Sequence, residues 1–209
     1  MTQNTPVTAV VFDIGNVLIR WQPEELYDQW VGKARREEMF AAVDLHFMNE
    51  LVDRGGDFRQ VIYDTADKHP AYRDEIRWWH DRWLDLAGPT IDLSVATLRA
   101  LKTRGVPVFA LSNFGIGTFE VGEAAYDFLS EFDRRYISGH MGVTKPSAQI
   151  YQMVEDDSGH APSGLLFTDD RTENIDAAAQ RGWQVHLFTS PRDWADNLIA
   201  RDLIKESDL

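Results

Sequence analysis

An α/β fold built on a parallel sheet is predicted from three observations. Short apolar runs each end in polar or acidic residues, helices with apolar stripes stand between them, and one stretch of helical texture interrupts the series after the first run. The first run, Val7 to Phe12, is rich in valine and ends at Asp13. The second, Val106 to Leu111, ends at Ser112, and the third, Leu165 to Phe167, leads into Asp169 and Asp170. Continuous apolar runs of this length suit strands buried on both faces. Before the second run, Leu93, Ala96, Leu98 and Leu101 form the stripe of a helix, with Asp92 as N-cap and Gly105 as its C-terminal glycine. A second helix is predicted from Thr172 to Arg181, with Ile175, Ala178 and Ala179 inward and Gly182 as the stop. Tyr136 to Ile137 and Val185 to Phe188 supply further short strands.

Residues 20–90 differ in texture. They are helical in pattern, rich in Trp, Arg, Asp and Glu, broken at Gly55 and Gly56, and without valine-rich runs. The expectation is a Rossmann-like core from residues 1–19 and 91–209 with an inserted α-helical domain from 20–90. A chain of 209 residues holds one substantial core and one small accessory domain.

Composition narrows the function. With 44% hydrophobic and 26% charged residues the chain is ordinary for a globular protein, and disorder is expected only in the first few residues and the tail after Ile204. A formal net charge of −13 disfavours attraction to a phosphate backbone, so nucleic acid is not an expected partner. A small phosphorylated substrate stays open, because a few local cations and a metal outweigh the global field. The absence of cysteine removes disulfides, thiolate metal sites and cysteine nucleophiles. The N-terminus lacks the pattern of a signal peptide, and no apolar segment approaches bilayer length. A cytoplasmic protein, with no membrane partner and monomeric or homodimeric, is expected.

In an open parallel sheet, ligands bind at the carboxyl ends of the strands. That rule brings Asp13, Ser112, Asp169 and Asp170 to one rim. Each acid taken singly reads as a helix cap or loop residue, but four such positions at three strand ends read as a site. Paired acids facing a third are costly unless compensated. A hard divalent cation removes that cost, and carboxylates with water are what Mg²⁺ prefers.

These residues carry a resemblance. Val10-Val11-Phe12-Asp13-Ile14-Gly15-Asn16-Val17-Leu18 resembles the first motif of the haloacid dehalogenase superfamily, and Leu111-Ser112-Asn113 the second. Lys145-Pro146, ahead of an apolar helix containing Ile150 and Tyr151, resembles the third. Phe167-Thr168-Asp169-Asp170 with Asn174-Ile175 and Ala177-Ala178 resembles the fourth. The four stand in order across nearly the whole chain, and a helical insertion after the first is the cap domain of one branch of that family. The resemblance implies that Asp13 attacks phosphorus and forms an aspartyl-phosphate that water hydrolyses. It implies that Asp13, the Gly15 carbonyl and Asp170 hold Mg²⁺, with Asp169 acting directly or through water. Ser112 and the Asn113 amide would bind the phosphoryl oxygens, and Lys145 would neutralise Asp13 and the transferring group. Positioning and charge neutralisation are the main needs of phosphoryl transfer.

One departure stands out. Family phosphatases carry a second aspartate two positions after the nucleophile, as general acid and base. Here that position is Gly15, and neighbouring Asn16 cannot serve as an acid. Three readings compete: a phosphatase with another proton source or an easier leaving group, similar to an Asp-x-Gly-Asn-Val subgroup of sugar-phosphate phosphatases; a metal-independent 2-haloacid dehalogenase, whose halide leaves without a proton; and a non-enzymatic relative. The pair Asp169-Asp170 favours the first.

The cap sets the substrate. It holds Trp21, Trp30, Trp78, Trp79 and Trp83, with Arg77, Arg82, His46 and His80 among them. Spacings of four and three put Trp79 and Trp83, and His80 and Trp83, on shared helical faces. Aromatic residues at such spacing read first as core; a tryptophan facing the cleft would instead stack on a sugar ring, and His46 or His80 is a candidate for the missing proton source.

Overall fold

The computed structural model describes residues 5–209; residues 1–4, the first of the predicted core range, lie outside them. The chain opens with β1 (Ala9–Phe12) and β2 (Ile19–Trp21). Six helices follow: α1 (Pro23–Val31), α2 (Lys33–Ala42), α3 (Leu45–Asp53), α4 (Phe58–Lys68), α5 (Arg73–Asp81) and α6 (Trp83–Leu86). Next come β3 (Ala87–Thr90), α7 (Asp92–Thr103), β4 (Val108–Ser112), α8 (Ile116–Ala125), β5 (Arg134–Ile137) and α9 (Ser138–Met141). The chain ends with α10 (Ala148–Ser158), β6 (Leu165–Asp169), α11 (Thr172–Gln180), β7 (Gln184–Leu187) and α12 (Pro191–Ala200).

Five strands form one parallel sheet in the order β5-β4-β1-β6-β7. β1 lies at its centre, where the chain order reverses, and such a switch point leaves a crevice at the carboxyl edge. Alternation along β1 feeds two cores. Val10 and Phe12 join Val108, Ala110, Leu98, Leu101 and Trp194 on the face covered by α7 and α12. Ala9 and Val11 join Phe109, Leu111, Phe167, Tyr151 and Ile175 on the face covered by α10 and α11. All four residues of β1 and all five of β4 and of β6 are buried, the signature of a sheet covered on both sides.

The helices between Pro23 and Leu86 leave and rejoin this core through an antiparallel ribbon of β2 and β3. They are amphipathic and bury Tyr27, Met39, Ile62, Ile76 and Trp79 among themselves.

Several local expectations are corrected. Asp92 is the first residue of α7 rather than its cap, and its carboxylate accepts from the Thr90 hydroxyl at 2.7 Å. Ala179 is exposed, and Asn174 occupies an inward place on α11 instead. Trp79 and Trp83 do not share one helix, because α5 ends at Asp81. The tail beyond Ile204 is held to the core: Arg104 donates to Asp208 at 2.6 Å, and Arg192 pairs with Glu206 at 2.7 Å.

Candidate active site

The carboxyl edge of the sheet gathers the predicted residues. Asp13 follows the last residue of β1, Ser112 closes β4, Asp169 closes β6, and Lys145 arrives on the loop before α10. The Ser112 hydroxyl donates to Asp13 Oδ1 at 2.7 Å. The Lys145 ammonium lies 2.9 Å from the same oxygen and 2.6 Å from Asp169 Oδ2, and donates to the Leu111 carbonyl at 2.8 Å. All three of its donor positions are thus engaged. Asp13 Oδ2 has no donor among the described residues, and it is the oxygen left for an incoming centre.

Asp169 is saturated. Its Oδ1 accepts from the Arg171 amide at 2.8 Å and from Asn174 Nδ2 at 3.0 Å, and its Oδ2 accepts from Asn174 Nδ2 at 3.0 Å as well as from Lys145. This fully buried carboxylate holds Lys145 in place and supports the start of α11. Asp170 is more open. Its Oδ2 accepts from Asn16 Nδ2 at 3.0 Å, and Asn16 Oδ1 accepts from the Trp21 amide at 2.9 Å. Asn16 has φ of 54°, a left-handed conformation that asparagine tolerates better than most residues. The turn forms because the Ile14 carbonyl accepts the amides of Val17, Leu18 and Ile19 within one wind of chain. Asn113 pairs both ways with the Lys145 backbone: its Nδ2 donates to the carbonyl at 3.0 Å, and its Oδ1 accepts from the amide at 2.8 Å.

The electrostatics follow from three carboxylates sharing one ammonium. Burial raises the Asp13 carboxyl to about 6, against the pull of Lys145, and Asp169 and Asp170 add to the rise. Burial and Asp169 likewise push Asp170 up, opposed by the Asn16 hydrogen bond. Burial works against the Lys145 charge, but Asp13 and Asp169 outweigh it and hold the ammonium above its usual value. Excess negative charge therefore remains. One oxygen from each of Asp13, Asp169 and Asp170 lies within 4.8 Å of the others, a hard all-oxygen set that fits a divalent cation. Asp169 has its lone pairs committed to nitrogen donors, which leaves Asp13 and Asp170 as the better direct ligands.

The rim opens into a cleft of about 560 Å³ whose far wall comes from the helical segment. α3 lines it with His46, Phe47, Asn49, Glu50 and Asp53, and Trp21, Trp79 and Trp83 close its side. Of these tryptophans only Trp21 is partly exposed. Trp30 and Trp78 do not line the cleft and instead pack around Tyr27, with Arg82 stacked over Trp30. His46 stands at the cleft with a 62% exposed side chain, 2.8 Å from Glu24. His80 does not line the cleft: it packs on Phe58 and Tyr63 and bonds Asp81 at 2.7 Å. That removes it as a proton source.

Asp53, at the end of α3, went unnoticed in the sequence. Its Oδ2 accepts from Asn49 Nδ2 at 2.9 Å, and Asn49 Oδ1 in turn accepts from the buried Trp79 indole at 3.0 Å. Burial drives its carboxyl up to about 7, against the Gly115 amide, while Asp13 and Glu50 add to the rise and Lys145 opposes it. The spacing of four between Asn49 and Asp53 was the one available signal. The end of α3 is docked on the core, where Ser138 donates to the Asp53 carbonyl at 2.6 Å and a methyl on Gly115 would meet Val52 Cγ1 at 2.5 Å.

Comparison with known proteins gives this geometry its context. Over 190 residues the chain is 24% identical to the drimenol cyclase drtB of Aspergillus calidoustus, covering 87% of this chain but only 34% of that protein. It is 33% identical over 66 residues to a D-ribitol-5-phosphate phosphatase of Bacteroides thetaiotaomicron, 32% of each chain. The chain thus spans about a third of the length of these two relatives. It is 24% identical to the sesquiterpene phosphatase astK of Aspergillus oryzae, over 89% of this chain and 92% of that one. Among solved structures, the HAD family enzyme bt-2542 of Bacteroides thetaiotaomicron, in complex with magnesium and inorganic phosphate, superposes with a TM-score of 0.71 at 19% identity, over 91% of this chain and 98% of that one. Residues 7–182 match the haloacid dehalogenase-like hydrolase family, and the chain belongs to that family.

Proposed function

We propose that the protein is a Mg²⁺-dependent phosphatase that hydrolyses a small phosphorylated metabolite, of the sugar-phosphate class, through an aspartyl-phosphate on Asp13. The observation that carries this reading is the carboxylate cluster of Asp13, Asp169 and Asp170 beside a fully engaged Lys145. A metal-independent dehalogenase has no use for Asp170, a half-buried acid held in place by Asn16. The phosphatase relatives support the reaction class, and the ribitol phosphate phosphatase supports the substrate class.

In this reading Asp13, Asp170 and the Gly15 carbonyl hold Mg²⁺, and Asp169 supports the site through Lys145 and water. When bound, the ion neutralises charge on the phosphoryl oxygens and on Asp13. Ser112 and Lys145 fix Asp13 Oδ1, so that Oδ2 is presented for attack along a defined line. The ammonium and the Ser112 hydroxyl then offset the charge that builds on the phosphoryl group, aided by the Asn113 amide. Residues 20–90 act as the cap over a core of 1–19 and 91–209, and the partly exposed Trp21 gives a sugar ring a stacking surface.

The test is a panel of phosphate esters and 2-haloacids, assayed with Mg²⁺ and with a chelator. Phosphate release that needs Mg²⁺ is expected. Halide release, or equal turnover with the chelator, would overturn the reading.

A further inference from the structure

We propose that Asp53, delivered by the helical segment, is the general acid and base of the reaction in place of the side chain that Gly15 lacks. The inference rests on the phosphatase reading above and assigns the proton transfers that reading leaves without a residue.

The geometry carries it. Asp53 lines the same cleft as Asp13 and reaches it from the end of α3. It is fixed rather than free: Trp79 orients Asn49, and Asn49 orients the carboxyl. Its backbone is bonded to Ser138 on the core, so its place relative to the rim does not depend on a mobile helix end. Both polar contacts of the carboxyl, from the Asn49 and Gly115 amides, are donated to it. Among the described residues none accepts a proton from it, so a proton it carries is available to a substrate oxygen. The charged groups that face it are Asp13 and Lys145 from the core and Glu50 from its own helix. Arg20, Asp44, His46, Asp170 and Arg171 line the remainder of the cleft. The balance keeps the carboxyl protonated up to about pH 7, which suits a group that must both give and take a proton near neutrality. The alternatives are weaker: His46 is mostly exposed and paired with Glu24, and His80 lies outside the cleft.

The steps balance. Asp13 Oδ2 bonds to phosphorus as the bond to the leaving oxygen breaks. The electron pair goes with that oxygen, and the Asp53 proton joins it to give the free alcohol. Asp53, now ionised, takes a proton from water as the water oxygen attacks the phosphorus of the aspartyl-phosphate. The bond to Asp13 breaks, inorganic phosphate leaves, and both side chains return to their starting forms.

The experiment compares wild type, Asp53→Asn and Asp53→Glu with Mg²⁺ on an aryl phosphate, whose leaving group needs no proton, and on an alkyl or sugar phosphate, which does. Asp53→Asn is expected to lower kcat on the alkyl ester by about a hundredfold or more. The burst of aryl alcohol released as Asp13 is phosphorylated should be nearly unchanged, and Asp53→Glu should recover part of the alkyl activity. An equal loss on both esters in that alcohol burst, or no loss on either, overturns the assignment while leaving the phosphatase reading intact. No phosphate release by wild type on any ester overturns both. Should Asp53→Asn fail to fold, the wild-type pH profile decides. The alkyl ester should show a falling limb near pH 7 that the aryl ester lacks, and identical limbs overturn the proposal.

Discussion

Asn16 Nδ2 donates to Asp170 Oδ2 at 3.0 Å, tying the loop after β1 to the loop after β6 across the mouth of the site. The same side chain receives the Trp21 amide, so one asparagine in a left-handed turn joins the loop after β1, the loop after β6 and the entry to the helical segment. Removing it should release Asp170 without touching Asp13. Asn16→Ala is expected to weaken Mg²⁺ binding by about 10- to 100-fold, the usual cost of losing a side chain that orients a ligand. Titration calorimetry with Mg²⁺ measures it, and an unchanged affinity would mean that Asp170 needs no such support.

Lys145 is buried with its ammonium between two buried carboxylates. Lys145→Met leaves both without a counter-charge and should cost about 3–5 kcal/mol of stability. In wild type the folded state holds the ammonium above its usual value, so its contribution is complete throughout the neutral range and is lost only as pH rises through that higher value. In the variant the sign is set by Asp13, whose carboxyl burial already raises and which loses the opposing pull of Lys145, so it sits above its unfolded value. Protonation favours the folded variant, and its deficit against wild type should shrink from pH 8 to pH 5. Thermal melts across that range check it; a deficit that does not change with pH would show that the carboxylates do not depend on Lys145.

A side chain at position 15 has room. An added methyl there meets no atom within 4 Å, and the backbone of Gly15 lies outside the left-handed region. Gly15→Asp should therefore fold without a steric clash at its Cβ. In an otherwise wild-type chain the new carboxylate adds negative charge beside Asp13 and should lower turnover. In the Asp53→Asn background it should raise turnover of the alkyl ester, because it returns a proton carrier to the site. Steady-state rates of the two single variants and the double variant measure this, and a double variant no faster than Asp53→Asn would deny that the two positions can exchange the role.

Gly139 marks the seam between the loop after β4 and the end of α3. A methyl there would stand 2.7 Å from the Ile116 amide nitrogen and 2.9 Å from the Phe114 carbonyl, both backbone atoms that cannot swing aside. Gly139→Ala should cost about 1–3 kcal/mol, as overpacking does. Because Phe114 follows Ser112 and Asn113 closely, the side of the site that carries those two residues should loosen too. Denaturant unfolding checks the first effect, and KM for the aryl ester checks the second.

Much of this architecture was legible in the chain. The runs ending at Asp13, Ser112 and Asp169 became the three central strands, because strands buried on both faces must be continuously apolar. Their carboxyl ends then had to share a rim. The side-chain partners of the supporting polar residues were not legible. Asn16, Asn49, Asn113 and Asn174 each act on a partner from another part of the chain or one helical turn away, and an asparagine in isolation reads as a turn residue. Asp53 was hidden for a related reason: its carboxyl is raised by burial against groups that come together only when α3 docks on the core. The periodicity of Trp79 and Trp83 misled because the break at Arg82 carries neither glycine nor proline.

In the proposed reaction Asp13 becomes phosphorylated. The most direct measurement is rapid acid quench of the protein mixed with a phosphate ester and Mg²⁺, followed by mass spectrometry of the peptide that carries Asp13. A single phosphoryl adduct on Asp13 is predicted, formed within the first turnover and absent in Asp13→Asn. Turnover that proceeds with no adduct on Asp13, or with the adduct on another residue, would contradict the account.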